Sequence, residues 1–112
     1  MAVSAETRAF VLELFDDLGH VTARAMMGGL TLYSDGLIFG IVALGERVYL
    51  KADEDLAEAL RAEGSEQFAY PRKDGRIDRM GYWTLPDDAL DDADAACAWA
   101  RASLRANHPG YS

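Results

Sequence analysis

Two adjacent glycines, Gly28 and Gly29, lie between two apolar segments whose composition is typical of β-strands. A glycine pair at such a junction indicates a bend with positive φ, or a place where another backbone passes too close for a Cβ atom. We therefore expect one strand to end at this pair and another to begin after it. At least one of the two positions should not tolerate a side chain.

Further strands follow the pair, separated by residues that favour tight turns. Asp35-Gly36 and Asp74-Gly75 are turn dipeptides of the kind that close hairpins. The run 37–44 is apolar almost throughout, which predicts a central strand with Gly40 beside a close neighbour. The predicted strands start at residue 20 and then cover 30–34, 37–44, 47–52, 68–72 and 76–85.

Helix caps and helical spacing predict three helices. The first begins after Ser4, the second after Asp53, and the last at Asp87 or Asp91. The segment from Asn107 onward has no periodicity, so we expect it to leave the domain. The first helix should bury one stripe, formed by Phe10, Val11, Leu14, Phe15 and Leu18.

These elements predict a single α+β domain over residues 1–112, with residues 106–112 as an irregular tail. One antiparallel sheet of about five strands is expected, with the N-terminal and C-terminal helices packed against a face. The short middle helix should lie at the periphery. A chain of 112 residues is long enough to bury one core and too short for two.

The charge balance limits the classes of partner. Nineteen acidic residues against eleven basic ones give a net charge of -8, which disfavours autonomous binding to nucleic acid. The single cysteine, Cys97, excludes an internal disulfide and is expected to be a buried apolar residue. With only His20 and His108 as imidazoles, no metal site or cofactor is predicted. No membrane segment or leader is recognisable, so we expect a cytoplasmic protein.

No catalytic constellation is recognisable in the sequence. The glycine pair precedes a strand and not a helix, which argues against a dinucleotide or P-loop site. The acidic runs fall at predicted helix starts, where the helix dipole explains them without a metal. We therefore predict that the domain is not an enzyme.

Two single cations are candidate binding residues. Arg24 could hold an anion against the backbone amides near Gly28 and Gly29; the alternative is a strand arginine paired with a carboxylate. Lys51 lies on an outward strand register and could contact a partner; the alternative is an ordinary solvated lysine.

A basic hairpin contrasts with the acidic chain. It could bind a partner or ligand, and Tyr82 and Trp83 beside it could stack on bases. The alternatives are a solvated hairpin whose charges discourage aggregation, and strand aromatics that belong to the core. The basic residues are Arg72, Lys73, Arg76 and Arg79.

Several fragments, in their order and separations, resemble the N-terminal domain of the TfoX/Sxy family of bacterial competence regulators. The resemblance extends over residues 5–105. Two departures are Met27, where the family usually has an aromatic residue, and Thr31, where it usually has glycine. The matching fragments are Arg24-Ala25-Met26-Met27-Gly28-Gly29, Leu32-Tyr33 before Asp35-Gly36, Val48 to Asp53, Gly64-Ser65 with Phe68 and Tyr70, and Met80 to Trp83 with Leu85-Pro86.

The resemblance is to the short members that stand alone, without the C-terminal domain of the longer regulators. It implies a fold and a loose association with regulation, and it implies no agreed activity. The resulting hypothesis is a non-enzymatic regulatory or adaptor module that acts through protein–protein contacts, with an unknown partner.

Two alternatives stay open, a small-molecule or nucleotide-binding domain that uses the basic hairpin and the glycine bend, and DNA binding. We also expect a homodimer, with contacts through Pro109 and Tyr111 or through the edge strand 68–72.

Overall fold

The structure, a computed structural model, describes residues 3–26 and 28–111. Within these ranges the chain forms a single sheet of six strands and three α-helices, which confirms the α+β class. The strands are β1 (Val21–Met26), β2 (Gly29–Ser34), β3 (Leu37–Val42), β4 (Val48–Lys51), β5 (Gln67–Pro71) and β6 (Ile77–Thr84). The helices are α1 (Ala5–Leu14), α2 (Glu54–Ala62) and α3 (Ala93–Asn107).

All neighbouring strands are antiparallel, in the order β1-β2-β3-β4-β6-β5. The sheet has six strands, against a prediction of about five. β3 is central as predicted, and β1 and β5 are the edges. The first four strands form a meander, and the β5–β6 hairpin joins it through β6.

One hydrophobic core lies between the sheet and the helices. All three helices contribute buried side chains to it, so all three cover the same face of the sheet. Phe15 and Phe39 meet edge to face with ring centroids 5.1 Å apart, and both are fully buried. Burying one such side chain stabilises a fold by about 1.5–3 kcal/mol. Among the described residues no helix has the length and apolarity that crossing a membrane requires.

The first helix begins as predicted, but one member of its stripe is wrong. Ser4 caps α1 by accepting a hydrogen bond from the Thr7 amide, 3.1 Å away. Phe10 is 43% exposed. The buried arc is centred on Val11, Leu14 and Phe15, and successive helical residues are about 100° apart, so Phe10 falls outside it.

The glycine pair makes the constrained bend that the sequence predicts. Gly28 has φ 84°, a conformation that favours glycine. At Gly29 a Cβ atom would overlap the carbonyl oxygen of Val42, which belongs to β3. Gly40 is equally constrained, because its Cβ would lie 2.5 Å from the carbonyl oxygen of Tyr49 in β4.

The C-terminal segment stays on the domain, so the prediction that it leaves was wrong. Asn107 is the last residue of α3, and its Nδ2 donates to the carbonyl oxygen of Lys51 at 3.1 Å. The ring Nε2 of His108 lies 2.8 Å from the Ile38 carbonyl oxygen. Tyr111 is partly buried against the core. Periodicity could not reveal these contacts, because they join side chains to distant backbone carbonyls.

Candidate functional site

The basic hairpin carries its own counter-charges. A guanidinium nitrogen of Arg72 lies 3.5 Å from a carboxylate oxygen of Asp78, and one of Arg76 lies 3.7 Å from Asp74. Asp74 also accepts a hydrogen bond from the backbone amide of Arg76 at 3.0 Å. Such exposed pairs contribute about 0–1 kcal/mol each, but they lower the positive potential of the hairpin.

The structure does not bring the four hairpin cations to one surface. Arg79 is opposite Ala69 in the register, whereas Tyr70 is opposite Asp78, so Arg79 projects from the other side of the hairpin. Lys73 lies in the exposed turn. The cluster inferred from the sequence therefore divides between two faces and a turn.

The glycine bend is far from this hairpin. Gly28 and Gly29 join β1 to β2, and β1 and β5 are opposite edges of the sheet. Five strand spacings separate the edges, about 24 Å at the usual distance between strands. Arg24 is exposed on β1 and forms no ion pair with any described residue. The hairpin and the bend therefore do not line a common pocket.

A shallow concavity lies between α2 and β6 on the helix side. Its charged lining is mostly acidic, from Asp53, Glu54 and Glu58. The guanidinium of Arg61 lies 5.0 Å from the ring centre of Trp83 and covers it. In residues 3–26 and 28–111 no group of three or more His, Cys, Asp or Glu residues could hold a metal ion.

The second face of the sheet carries a row of side chains that crosses five strands. The register pairs Arg24 with Thr31, Thr31 with Ile41, Ile41 with Tyr49, and Tyr49 with Thr84. Because side chains alternate along a strand, this row points away from the core residues Ala23, Leu30, Val48 and Leu50. No described helix covers it. We call this side of the sheet the open face.

Aromatic rings pack across the open face. Tyr49 and Phe68 meet edge to face with centroids 5.1 Å apart, and Phe68 and Tyr70 are 6.0 Å apart. The guanidinium of Arg47 lies 5.9 Å from the Tyr49 ring centre and forms an ion pair with Glu66 at 3.0 Å. These contacts leave Tyr49 only 7% exposed although no helix in the described part of the chain covers it.

Lys51 is the last residue of β4 and lies on the open face. Its strand partner is Tyr82, on β6. Burial and the proximity of Tyr33 raise the pKa of the Tyr82 hydroxyl. No described carboxylate pairs with Lys51, whose side chain is half-buried.

Hydrogen bonds from α3, on the helix side of the sheet, fix the backbone at Lys51. Its carbonyl oxygen accepts hydrogen bonds from the Ser103 hydroxyl and from Nδ2 of Asn107, both on α3. Asn107 also donates to the Ser103 carbonyl oxygen at 2.8 Å. The last turns of α3 thus hold the strand end that presents Lys51 on the opposite face.

The border of the open face is apolar and exposed. Met26, Tyr70 and Met80 are 46%, 38% and 41% exposed, and all three have open-face registers. Single exposed apolar side chains are ordinary, but several on one uncovered sheet face are typical of an interaction surface.

A family model for the TfoX N-terminal domain matches residues 13–107 of this chain. The chain belongs to the TfoX N-terminal domain family. No curated protein matches it. The matched residues of this TfoX N-terminal domain include all six strands, so the open face lies wholly within the family region.

Sequence reasoning named the open-face cations Arg24, Lys51 and Arg72 and missed the aromatic surface around them. The sequence interpretation favours the core for both Tyr82 and Trp83, but only Trp83 joins the core of this TfoX domain. The alternation of Tyr49 and Lys51 with the core residues Val48 and Leu50 was a signal for this surface. The pairing of β4 with β6 was not visible in the sequence, because α2 and β5 lie between them.

Proposed function

We propose that this TfoX N-terminal domain is a non-enzymatic regulatory or adaptor module that acts by binding another protein through its open face. The observation that carries the proposal is an uncovered sheet face lined by aromatic and aliphatic side chains. In a solitary antiparallel sheet the second face is expected to be mainly polar. Here it carries Tyr33, Ile41, Tyr49, Phe68 and Tyr82.

Aromatic residues favour a protein partner because they supply large contact areas with few rotatable bonds. Tyr49 and Phe68 are already fixed by their mutual contact, so little side-chain entropy remains to be lost on association. The exposed Met26 and Met80 add flexible apolar contacts at the border.

The packing on the helix side also supports a rigid platform. The strands that carry Tyr49 and Tyr82 are adjacent in the sheet and are backed by the core residues Leu50 and Trp83. A binding surface supported in this way keeps its shape before the partner arrives.

Site-specific photo-crosslinking in the source cell tests the proposal. A photoreactive amino acid replaces Met80 on the open face, and in a matched variant it replaces Ala98, which is exposed on α3. We expect a protease-sensitive adduct from position 80 and none from position 98. Adducts formed equally from both positions, adducts destroyed by nuclease, or no adduct from position 80 would each contradict the proposal.

A further inference from the structure

The open face has a charge opposite to that of the molecule. Its described residues include four cations, Arg24, Arg47, Lys51 and Arg72, and two carboxylates, Glu66 and Asp78. The ion pair of Arg76 with Asp74 at the hairpin turn leaves this balance unchanged. The whole chain has a net charge of -8. Acidic side chains are therefore concentrated on the helix layer and the turns.

Only two of these cations are free to meet a ligand. Arg47 is paired with Glu66 at 3.0 Å and Arg72 with Asp78 at 3.5 Å. In the described part of the chain, Arg24 and Lys51 have no ion-pair partner. Arg24 is on β1 and Lys51 is on β4, three strand spacings away. Three spacings are about 14 Å, and Lys51 lies two residues further along β4 than Tyr49, which is in the row of Arg24, so the two positions are about 16 Å apart.

The surface between these two cations is apolar. Thr31, Ile41 and Tyr49 continue the row of Arg24, and neighbouring side chains leave each less than 9% exposed, whereas Tyr33, on β2 between the two cations, is half-buried and still accessible. A ligand that reaches both cations therefore passes over Tyr33 between its two negative groups.

We propose that the partner contacts this face with an extended acidic segment, whose two carboxylates bind Lys51 and Arg24 and whose apolar side chain between them packs against Tyr33. This inference rests on the proposed function and names the chemistry of its partner. Residues in an extended chain advance about 3.3 Å each, so carboxylates four residues apart span about 13 Å, and the long side chains of Lys51 and Arg24 bridge the remaining distance. The residue midway between them projects to the same side.

A second copy of this chain fits the open face less well. Two identical faces related by a two-fold axis would bring Lys51 and Arg24 of both copies to the same interface, where like charges oppose association. A single-stranded nucleic acid also offers anions and stacking rings. Its phosphates lie on every nucleotide, however, whereas this face has two free cations within a strongly acidic molecule.

Fluorescence anisotropy with defined probes tests the inference. The first probe is a labelled serine-rich peptide with two glutamates four residues apart and a phenylalanine midway between them. A second peptide has lysines in place of the glutamates, and a third has serine in place of the phenylalanine. The fourth probe is a short oligothymidine. We expect the first peptide to bind at least about tenfold more tightly than each of the others.

Two charge-reversal variants of the domain test whether the first peptide binds at Lys51. Lys51→Glu should weaken binding of the first peptide about tenfold or more, because it replaces attraction by repulsion at one of the two carboxylate contacts. Arg8→Glu makes the same change of charge on the exposed surface of α1 and should leave affinity within about twofold. Equal losses in the two variants would overturn the inference. Circular dichroism and urea midpoints establish that both variants are folded.

The possible results separate this inference from the proposed function. Binding of all three peptides alike, tighter binding of the oligothymidine, or no peptide binding at millimolar concentration would overturn the acidic-segment inference. If position 80 still forms a protein adduct in cells in any of these cases, the adaptor proposal stands without it. Selective binding of the first peptide that Lys51→Glu abolishes supports the inference.

Discussion

The close approach of β3 and β4 at Gly40 predicts that Gly40→Ala will be severely destabilising. The new Cβ would lie 2.5 Å from the carbonyl oxygen of Tyr49, whereas real Cβ contacts are essentially never shorter than 3.0 Å. Relief requires a local movement of about 0.5 Å or more, and both strands are held by neighbours on either side. Neither backbone has room to withdraw without loss of ladder hydrogen bonds.

The expected cost follows from two opposing effects. Overpacking of this kind costs about 1–3 kcal/mol and occasionally more, and the lower entropy of the unfolded alanine variant offsets about 0.4–1 kcal/mol. Because a 2.5 Å contact is a severe overlap, the upper part of the first range applies, and we expect a net loss of about 2 kcal/mol out of a total stability of about 5–15 kcal/mol. The melting temperature should fall by about 10 °C.

Gly81→Ala is the matched control on the same sheet. Its Cβ would lie 3.4 Å from the nearest backbone oxygen outside its own segment, that of Ala52, which is an ordinary contact. Urea denaturation should place this variant within about 0.5 kcal/mol of the parent. If Gly40→Ala unfolds at the parent's urea concentration, or if Gly81→Ala loses as much stability as Gly40→Ala, the close-approach argument is incorrect.

Four further outcomes are expected. Asn107→Ala should lower the free energy of unfolding by about 1–2 kcal/mol in urea melts, because it removes hydrogen bonds to Lys51 and Ser103, whereas exposed Arg105→Ala should change little. Burial raises the pKa of the Cys97 thiol, so less reactive thiolate is present at pH 8 in the native state. Iodoacetamide should therefore modify the native protein much more slowly than the urea-unfolded protein, and equal rates would contradict this. No submicromolar binding to duplex DNA is expected in anisotropy titrations at about 150 mM salt, because of the net charge of -8. Light scattering at tens of micromolar should detect a dimer formed through the β5 edge, and a mass of 12.2 kDa independent of concentration would exclude it.

Sequence patterns located most helices and strands, because caps and turns depend on residues that are close together in the chain. The caps Ser4 and Asp53 each accept a hydrogen bond from an amide three residues later, an interaction that composition and spacing reveal. The constraint at Gly29 was also predictable, because a glycine inside a strand pattern often marks the close approach of another backbone.

The arrangement of the candidate site depends on contacts that are distant in sequence. The pairing of Tyr49 with Thr84 places β6 beside β4, and with it the rings of Phe68 and Tyr82 on the open face. The hydrogen bonds from Asn107 to Lys51 likewise join residues that no periodicity connects. The sequence predicts a more positive hairpin than the structure shows. Asp78 and Asp74 pair with Arg72 and Arg76, and these pairs depend on side-chain geometry.

The way the β5–β6 hairpin is attached to β4 determines which part of the sheet opens most easily. Three register pairs join the hairpin to β4, and its outer end, with Pro71 and Ile77, is exposed. Regions with few buried contacts open at a lower free energy than the whole domain. The outer amides can therefore exchange their hydrogens with solvent while β2 and β3 stay protected. A partner that covers Tyr70 would slow this exchange, so deuterium uptake at the hairpin tip reports occupancy of the open face.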